Sequence, residues 1–237
     1  MIHILVFANC TPRRYLRGFV MFLIPEEITK LEGLIMELKK ERSRISTKML
    51  TKVGVLSAIA FVLMLLEFPL WFTPGFLKMD LSEVPALMGS FALGPIAGVL
   101  IELIKNLLNL AIEGTTTMVV GEVANFVVGS VFVYVAGYVY HKDKNIKNAV
   151  LGMALGTLAM TVVMAFANYY VMIPFYAKLF KAPLDAIVSM GNAVNKYVVD
   201  FKSLIIYAIV PFNLLKGIIV TLITFLLYKK VSPILHR

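Results

Sequence analysis

Residues 67–109, EFPLWFTPGFLKMDLSEVPALMGSFALGPIAGVLIELIKNLLN, lie between long apolar runs yet hold four prolines and six charged side chains. Hydrocarbon offers no partner to a broken backbone, so irregular chain at membrane depth persists only against protein or beside a cavity. In a membrane protein such a stretch marks a candidate binding site, framed by the runs on either side. Those runs set the class. Hydrophobic residues make up 59% of the 237, mean hydropathy is +0.85, and soluble domains stay nearer ~45–50% apolar. The pattern predicts an all-α integral membrane protein built as one bundle.

The formal charge of +9 is concentrated in loops and tails, which points to membrane orientation and anionic lipid contact rather than to nucleic acid. Cys10 is the only cysteine, so an internal disulfide is excluded. His3, His141 and His236 are scattered near segment ends, and no metal site is predicted. No GxxxxGK[ST] motif occurs, so an ATP-driven step belongs to a partner.

Residues 1–47 read as an N-terminal extension. MIHILVFANC is apolar but too short to span and has no basic segment before it, which argues against a signal peptide. From Pro25, Glu26 and Glu27 the spacing of Ile28, Leu31, Leu34, Ile35 and Leu38 predicts an amphipathic helix lying on the membrane. The alternative is an extension upstream of a start at Met36 or Met49. Lys39, Lys40, Arg42, Arg44, Lys48 and Lys52 then precede the first long run, Val53–Phe72, whose start is therefore cytoplasmic. Further runs cover Val119–Tyr140, Ala149–Pro174 and Ser203–Tyr228. The loop HKDKNIKN and the C-terminal tail are predicted inside, and 175–202 outside. The chain between the first run and Val119 must return to the side it left, which requires two crossings hinged at Gly94-Pro95. The first of these, about Leu81–Leu93, falls short of the ~20 residues a full span needs. The expected domain, 48–237, thus has six transmembrane helices, one of them short, with both termini cytoplasmic.

Polar side chains inside membrane helices are costly, and function is the first hypothesis for them. They are Glu102, Lys105, Asn106 and Asn109 in the third predicted span, Glu122 and Asn125 in the fourth, Asn168 in the fifth, and Asn213 and Lys216 in the sixth. Glu102 and Lys105 are one turn apart and can neutralise each other. Asn213 and Lys216 share a face, at a depth similar to that of Asn168. Phe68, Trp71, Phe72, Phe76, Phe166, Tyr169, Tyr170 and Phe212 are expected around them. Aromatic walls with a few placed amides suit a planar heteroaromatic compound with carbonyl and ring-nitrogen edges. An intramembrane enzyme is the competing class; its only acids within the bundle would be Glu102 and Glu122.

The segment FPLWFTPGFLKMDLSEVPAL, the following FALGPIAGVLIELIKNLLN, the NYYVMIP of the fifth span and the PFNLLKG of the sixth together resemble the riboflavin-specific S components of energy-coupling factor (ECF) transporters. The resemblance runs from about Lys48 to the C-terminus. It implies a multi-pass cell-membrane subunit that captures riboflavin from outside, with no cofactor of its own and no enzymatic activity. It implies flavin contacts at Asn168, Asn213 and Lys216, and closure of the loop from Phe68 to Asp80, including Phe76, over the ligand. Lys105, Asn106, Asn109 and Asn125 are implied as ribityl contacts or supports. It further implies a transmembrane T component docked on a small-residue pair of the first helix, here Gly54 and Ala58, and two ATPase subunits as partners. An S component for another planar heteroaromatic vitamin is the neighbouring alternative.

Overall fold

The computed structural model describes residues 47–115 and 117–235, with side chains described through Leu227. The expected amphipathic helix, Cys10, His3 and His236 lie outside the described residues. Lys48–Arg237 forms one unit by its internal contacts.

The first described helix, α1 (Thr47–Met64), stops well before its apolar run ends at Phe72. Pro69 cannot continue a helix, and the chain turns instead into a short hairpin. Here β1 (Phe68–Pro69) pairs antiparallel with β2 (Lys78–Met79), Phe68 opposite Met79. A Glu67–Lys78 ion pair closes the base of this hairpin. Where the short crossing near Leu81–Leu93 is expected, the chain forms a short helix, α2 (Glu83–Leu93), and α3 (Pro95–Ile112) follows after a single residue. That residue, Gly94, has φ +110° and ψ 159°, a conformation open essentially to glycine alone. Pro95 then opens α3 at a position where its missing N–H costs nothing. The two helices fold back so closely that a Cβ on Gly98 would lie 2.6 Å from Ser90 Cβ.

Helix α4 (Val120–Lys142) and α5 (Ile146–Ala167) pack along their lengths on either side of the basic loop. Asn145 of that loop caps α5, its side chain accepting from the Asn148 N–H at 2.8 Å. Pro174 does not end the fifth apolar segment, as its sequence position predicts. A π-helical turn, Asn168–Met172, carries the chain into α6 (Ile173–Leu179), making one apolar path of 34 residues. The segment expected as an external loop contains α7 (Leu184–Asn192). The last path begins with a capping box, in which Asp200 accepts from the Ser203 N–H and Ser203 Oγ accepts from the Asp200 N–H. These bonds hold the Asp200 carboxyl below its ordinary range. From there α8 (Phe201–Leu204), a second π turn (Ile205–Ile209) and α9 (Val210–Leu235) form a continuous rod.

Both π turns end just before a proline, Pro174 and Pro211. Proline has no N–H for the carbonyl one turn back and crowds it sterically, and a wider turn relieves both problems. The main core joins Val53, Leu56 and Ala60 of α1 with residues of α2, α3, α4 and α5, together with Val220 of α9. A smaller cluster gathers Ile173, Ala177, Ile187, Val198 and Leu204 with Ile205, Ala208 and Ile209 of the second π turn. Among the described residues, five helical paths are long and apolar enough to cross a membrane, and Glu83–Leu93 is a shorter apolar helix. Leu100, Leu103 and Leu107 form an exposed stripe on α3, as expected of a face that meets lipid.

Because only glycine tolerates the backbone at position 94, Gly94→Ala is expected to lower stability in detergent by ~1–3 kcal/mol. A thermal unfolding transition unchanged from the parent would show that α2 and α3 do not depend on this hinge.

Candidate ligand-binding cavity and its buried charge cluster

A cavity of about 200 Å³ opens between the two core clusters, lined by Val128 and Met164 from the first and Ile173 and Ile187 from the second. Its polar wall comes from Asn125 on α4, Asn168 at the start of the first π turn, and Asn213 and Lys216 on α9. Thus the three groups read from the sequence as convergent, Asn168, Asn213 and Lys216, do share one cavity. Asn168 donates from Nδ2 to the Met164 carbonyl at 2.9 Å, and Asn213 does the same to the Ile209 carbonyl at 2.8 Å. Each amide is thereby fixed on its own helix, with its side-chain oxygen and second N–H left for a ligand. The Asn125 side-chain oxygen is buried without a partner among the described residues.

The hairpin supplies Phe76, Leu77 and Lys78 as another wall. Of the expected aromatic residues only Phe76 and Phe212 line the cavity, joined by Tyr176, which the sequence reading missed. Trp71, Phe166 and Tyr170 point outward and are 86%, 60% and 67% exposed. An aromatic residue in an apolar run carries no signal of which side it faces, and these face away. Met164, Met172 and Met190 take the vacant wall positions, offering polarisable surface to a ring.

Lys105, Asn106 and Asn109 do not line the cavity; Lys105 belongs instead to a buried cluster beside it. Lys105 Nζ lies 2.8 Å from Glu102 Oε2, 3.5 Å from Glu83 Oε1 and 2.6 Å from Ser82 Oγ. Lys216 Nζ lies 3.0 Å from Asp80 Oδ2 and 2.8 Å from Glu83 Oε1. Ser82 closes the loop by donating both its N–H and its hydroxyl to Asp80 Oδ1. Asn106 supports the cluster from α3, donating to the Glu102 carbonyl at 2.8 Å. Glu102 also packs against α4 at Gly129, where a Cβ would lie 2.2 Å from its Oε2. Burial alone would raise the Asp80 carboxyl, but Lys216, Lys105 and the Ser82 hydrogen bonds hold it well below the usual carboxylate range. Asp80 is therefore a carboxylate that ties the hairpin to α9. Glu83 and Ser82, absent from the sequence-derived site, are members of this cluster.

A multi-helix membrane protein with a cavity of fixed amides and a buried lysine beneath a short hairpin is built as a solute-binding membrane subunit. The comparisons specify which. The family profile described as ECF transporter, substrate-specific component, matches residues 48–228, and the chain belongs to that family. It is 37% identical over 187 residues to the riboflavin transporter FmnP of Bacillus subtilis, covering 78% of this chain and 93% of that protein. It is 34% identical over 190 residues to the riboflavin transporter RibU of Staphylococcus aureus, covering 80% and 93%. A solved structure of the S component of a bacterial ECF transporter superposes with a TM-score of 0.63 at 33% identity, covering 81% of this chain and all of that one. The chain is accordingly a multi-pass plasma-membrane protein and a transporter subunit, not an enzyme.

Three carboxylates face two ammonium groups in the cluster. Lys105→Met would leave one ammonium among them and is expected to cost ~3–5 kcal/mol, the usual penalty for orphaning a buried charge. Glu102→Gln leaves matched charges and should be much milder. Equal thermal stability of the two variants would show that the cluster is not held by charge.

Proposed function

We propose that this protein is the riboflavin-binding membrane subunit of an ECF transporter, capturing the vitamin from outside the cell. The observation that carries this reading is the convergence of Asn168, Asn213 and Lys216 on one cavity beneath the hairpin, in a chain whose relatives are named riboflavin transporters. The isoalloxazine ring is planar, with carbonyl oxygens and a ring N–H on one edge. Asn168 and Asn213 can accept the N–H and donate to carbonyls, and Lys216 donates to a carbonyl. Phe76, Phe212 and Tyr176 offer surface to the ring faces. Asn125, with its unpartnered oxygen, suits the ribityl hydroxyls.

Asp80, Lys105 and Asn106 then act as supports rather than contacts, and Asn109 is half-buried outside the cavity wall. The hairpin carrying Phe76 closes the cavity over the ligand, tied by Asp80 to Lys216. Six crossings with both termini in the cytoplasm follow if Glu83–Leu93 is counted with the five longer paths. On α1, Gly54 and Ala58 are one turn apart and exposed, and a Cβ on Gly54 would touch nothing within 4 Å. Such a small-residue face allows close helix approach and is the proposed docking surface for a transmembrane T component, with two ATPase subunits completing the transporter.

The test is an absorption spectrum of the detergent-purified protein followed by a flavin fluorescence titration. Flavin bands or saturable quenching are expected. A colourless protein indifferent to riboflavin would sink the assignment and point to another planar heteroaromatic compound. Asn213→Ala and Lys216→Ala are each expected to weaken binding by ~1–3 kcal/mol while the protein stays folded. Ala58→Leu should leave binding intact and impair uptake in cells; normal uptake by that variant would remove the docking role from this face.

A further inference from the structure

We propose that Glu83 is a positioning residue for ligand binding, aiming the Lys216 ammonium into the cavity without reaching the cavity itself. The inference rests on the reading that Lys216 contacts the flavin. Glu83 stands in the first turn of α2, is 2% exposed, and is not part of the cavity wall, whereas Lys216 is.

The geometry is that of a bridge. Glu83 Oε1 lies 2.8 Å from Lys216 Nζ and 3.5 Å from Lys105 Nζ. Lys105 is itself pinned by Glu102 and Ser82 at 2.8 and 2.6 Å, so the carboxylate sits on a fixed support. An ammonium group has three protons. For Lys216, one goes to Asp80 at 3.0 Å and a second faces Glu83, which leaves the third for the cavity. Two carboxylates on different elements, the segment after β2 and the start of α2, confine the ammonium between them and leave its remaining side to the cavity. With only one of them, the flexible four-carbon stem can swing the charge away.

Neither Glu83 oxygen makes a directed hydrogen bond among the described residues, so it holds Lys216 by charge and reach. The charge count isolates this effect. Removing the Glu83 charge leaves Asp80 and Glu102 facing Lys105 and Lys216, a matched set, so Glu83→Gln leaves no surplus ammonium in the bundle.

The experiment is a double-mutant cycle on the purified full-length protein in detergent, reading riboflavin affinity by fluorescence quenching and the absorption spectrum of bound flavin. The variants are Glu83→Gln, Glu83→Asp, Lys216→Gln and the Glu83 changes combined with Lys216→Gln. Glu83→Gln and Glu83→Asp are each expected to weaken binding ~10-fold or more in the parent, but less than ~2-fold in the Lys216→Gln background, as for coupled neighbours. The bound-flavin spectrum of Glu83→Gln should move toward that of Lys216→Gln. A residue with a general structural role would weaken both backgrounds equally. That result, or parental affinity and spectrum in both single Glu83 variants, overturns the proposal. If Glu83→Gln does not fold, Glu83→Asp carries the same cycle, since it keeps the charge and withdraws the oxygen by one methylene. A Lys216→Gln protein with parental affinity overturns the flavin contact and the positioning role with it, whereas a parent protein that binds no riboflavin overturns the functional reading as a whole.

Discussion

The ion pair between Asp80 and Lys216, with Glu83, Ser82, Lys105 and Glu102 behind it, joins three stretches of the chain that are far apart in sequence. Helix α2 has only 11 residues, about 16 Å at 1.5 Å per residue. Its N-terminal end therefore lies within the bundle, with N–H groups that need partners and a positive dipole end that needs compensation. Glu83 in the first turn answers the dipole, and Asp80 takes the Ser82 N–H. The same two carboxylates hold Lys216 and, with Glu102, Lys105. A short helix, a buried lysine on α9 and a hairpin at the rim are in this way solved by one arrangement. Removing any lysine from it would leave carboxylates unpaired at a depth where water cannot reach them.

The two proline-associated π turns solve the remaining placement problem. A regular α-helix from α5 into α6, or from α8 into α9, would set every side chain at a fixed angular step. Inserting a wider turn before Pro174 and Pro211 shifts the register at the point where each helix meets the cavity. Asn168 opens the first π turn, and the Ile209 carbonyl at the end of the second accepts from Asn213. The amides are thus anchored at the irregular turns themselves. The defect in each helix and the polar group it presents share one cause.

Much of this was legible in the sequence, and the limits have physical reasons. Asn168, Asn213 and Lys216 stand out because an apolar run tolerates few polar side chains, and the hinge stands out because Gly-Pro cannot be helical throughout. Glu83 did not stand out. It lies in a stretch with no clear period, and its partners Lys105 and Lys216 are distant in sequence, so only the folded chain brings them together. The facing of the aromatic residues is likewise invisible in the sequence: lipid and an apolar cavity favour the same side chains, and Trp71 and Tyr170 turn outward while Tyr176 turns in. The helix ends that the sequence predicts at Pro174 and Phe72 differ from those of the structure for opposite reasons. A π turn lets a helix pass through a proline, and a hairpin can begin inside an apolar run.

What the cluster does to the cavity follows from its charge. Lys216 is the one charged group on α9 at the cavity wall, and both Asp80 and Glu83 lie against its ammonium. It therefore presents a strong hydrogen-bond donor with little net field, which favours a neutral ligand with carbonyl groups over an anion. The amides are held by backbone carbonyls and the ammonium by two carboxylates, so the polar groups are in place before a ligand arrives and little ordering entropy is left to lose. The wall formed by Phe76, Leu77 and Lys78 is the one built on a hairpin rather than on helices, and Asp80 fastens that hairpin to the same lysine that faces the cavity. In the proposed function, recognition and closure consequently meet at a single side chain.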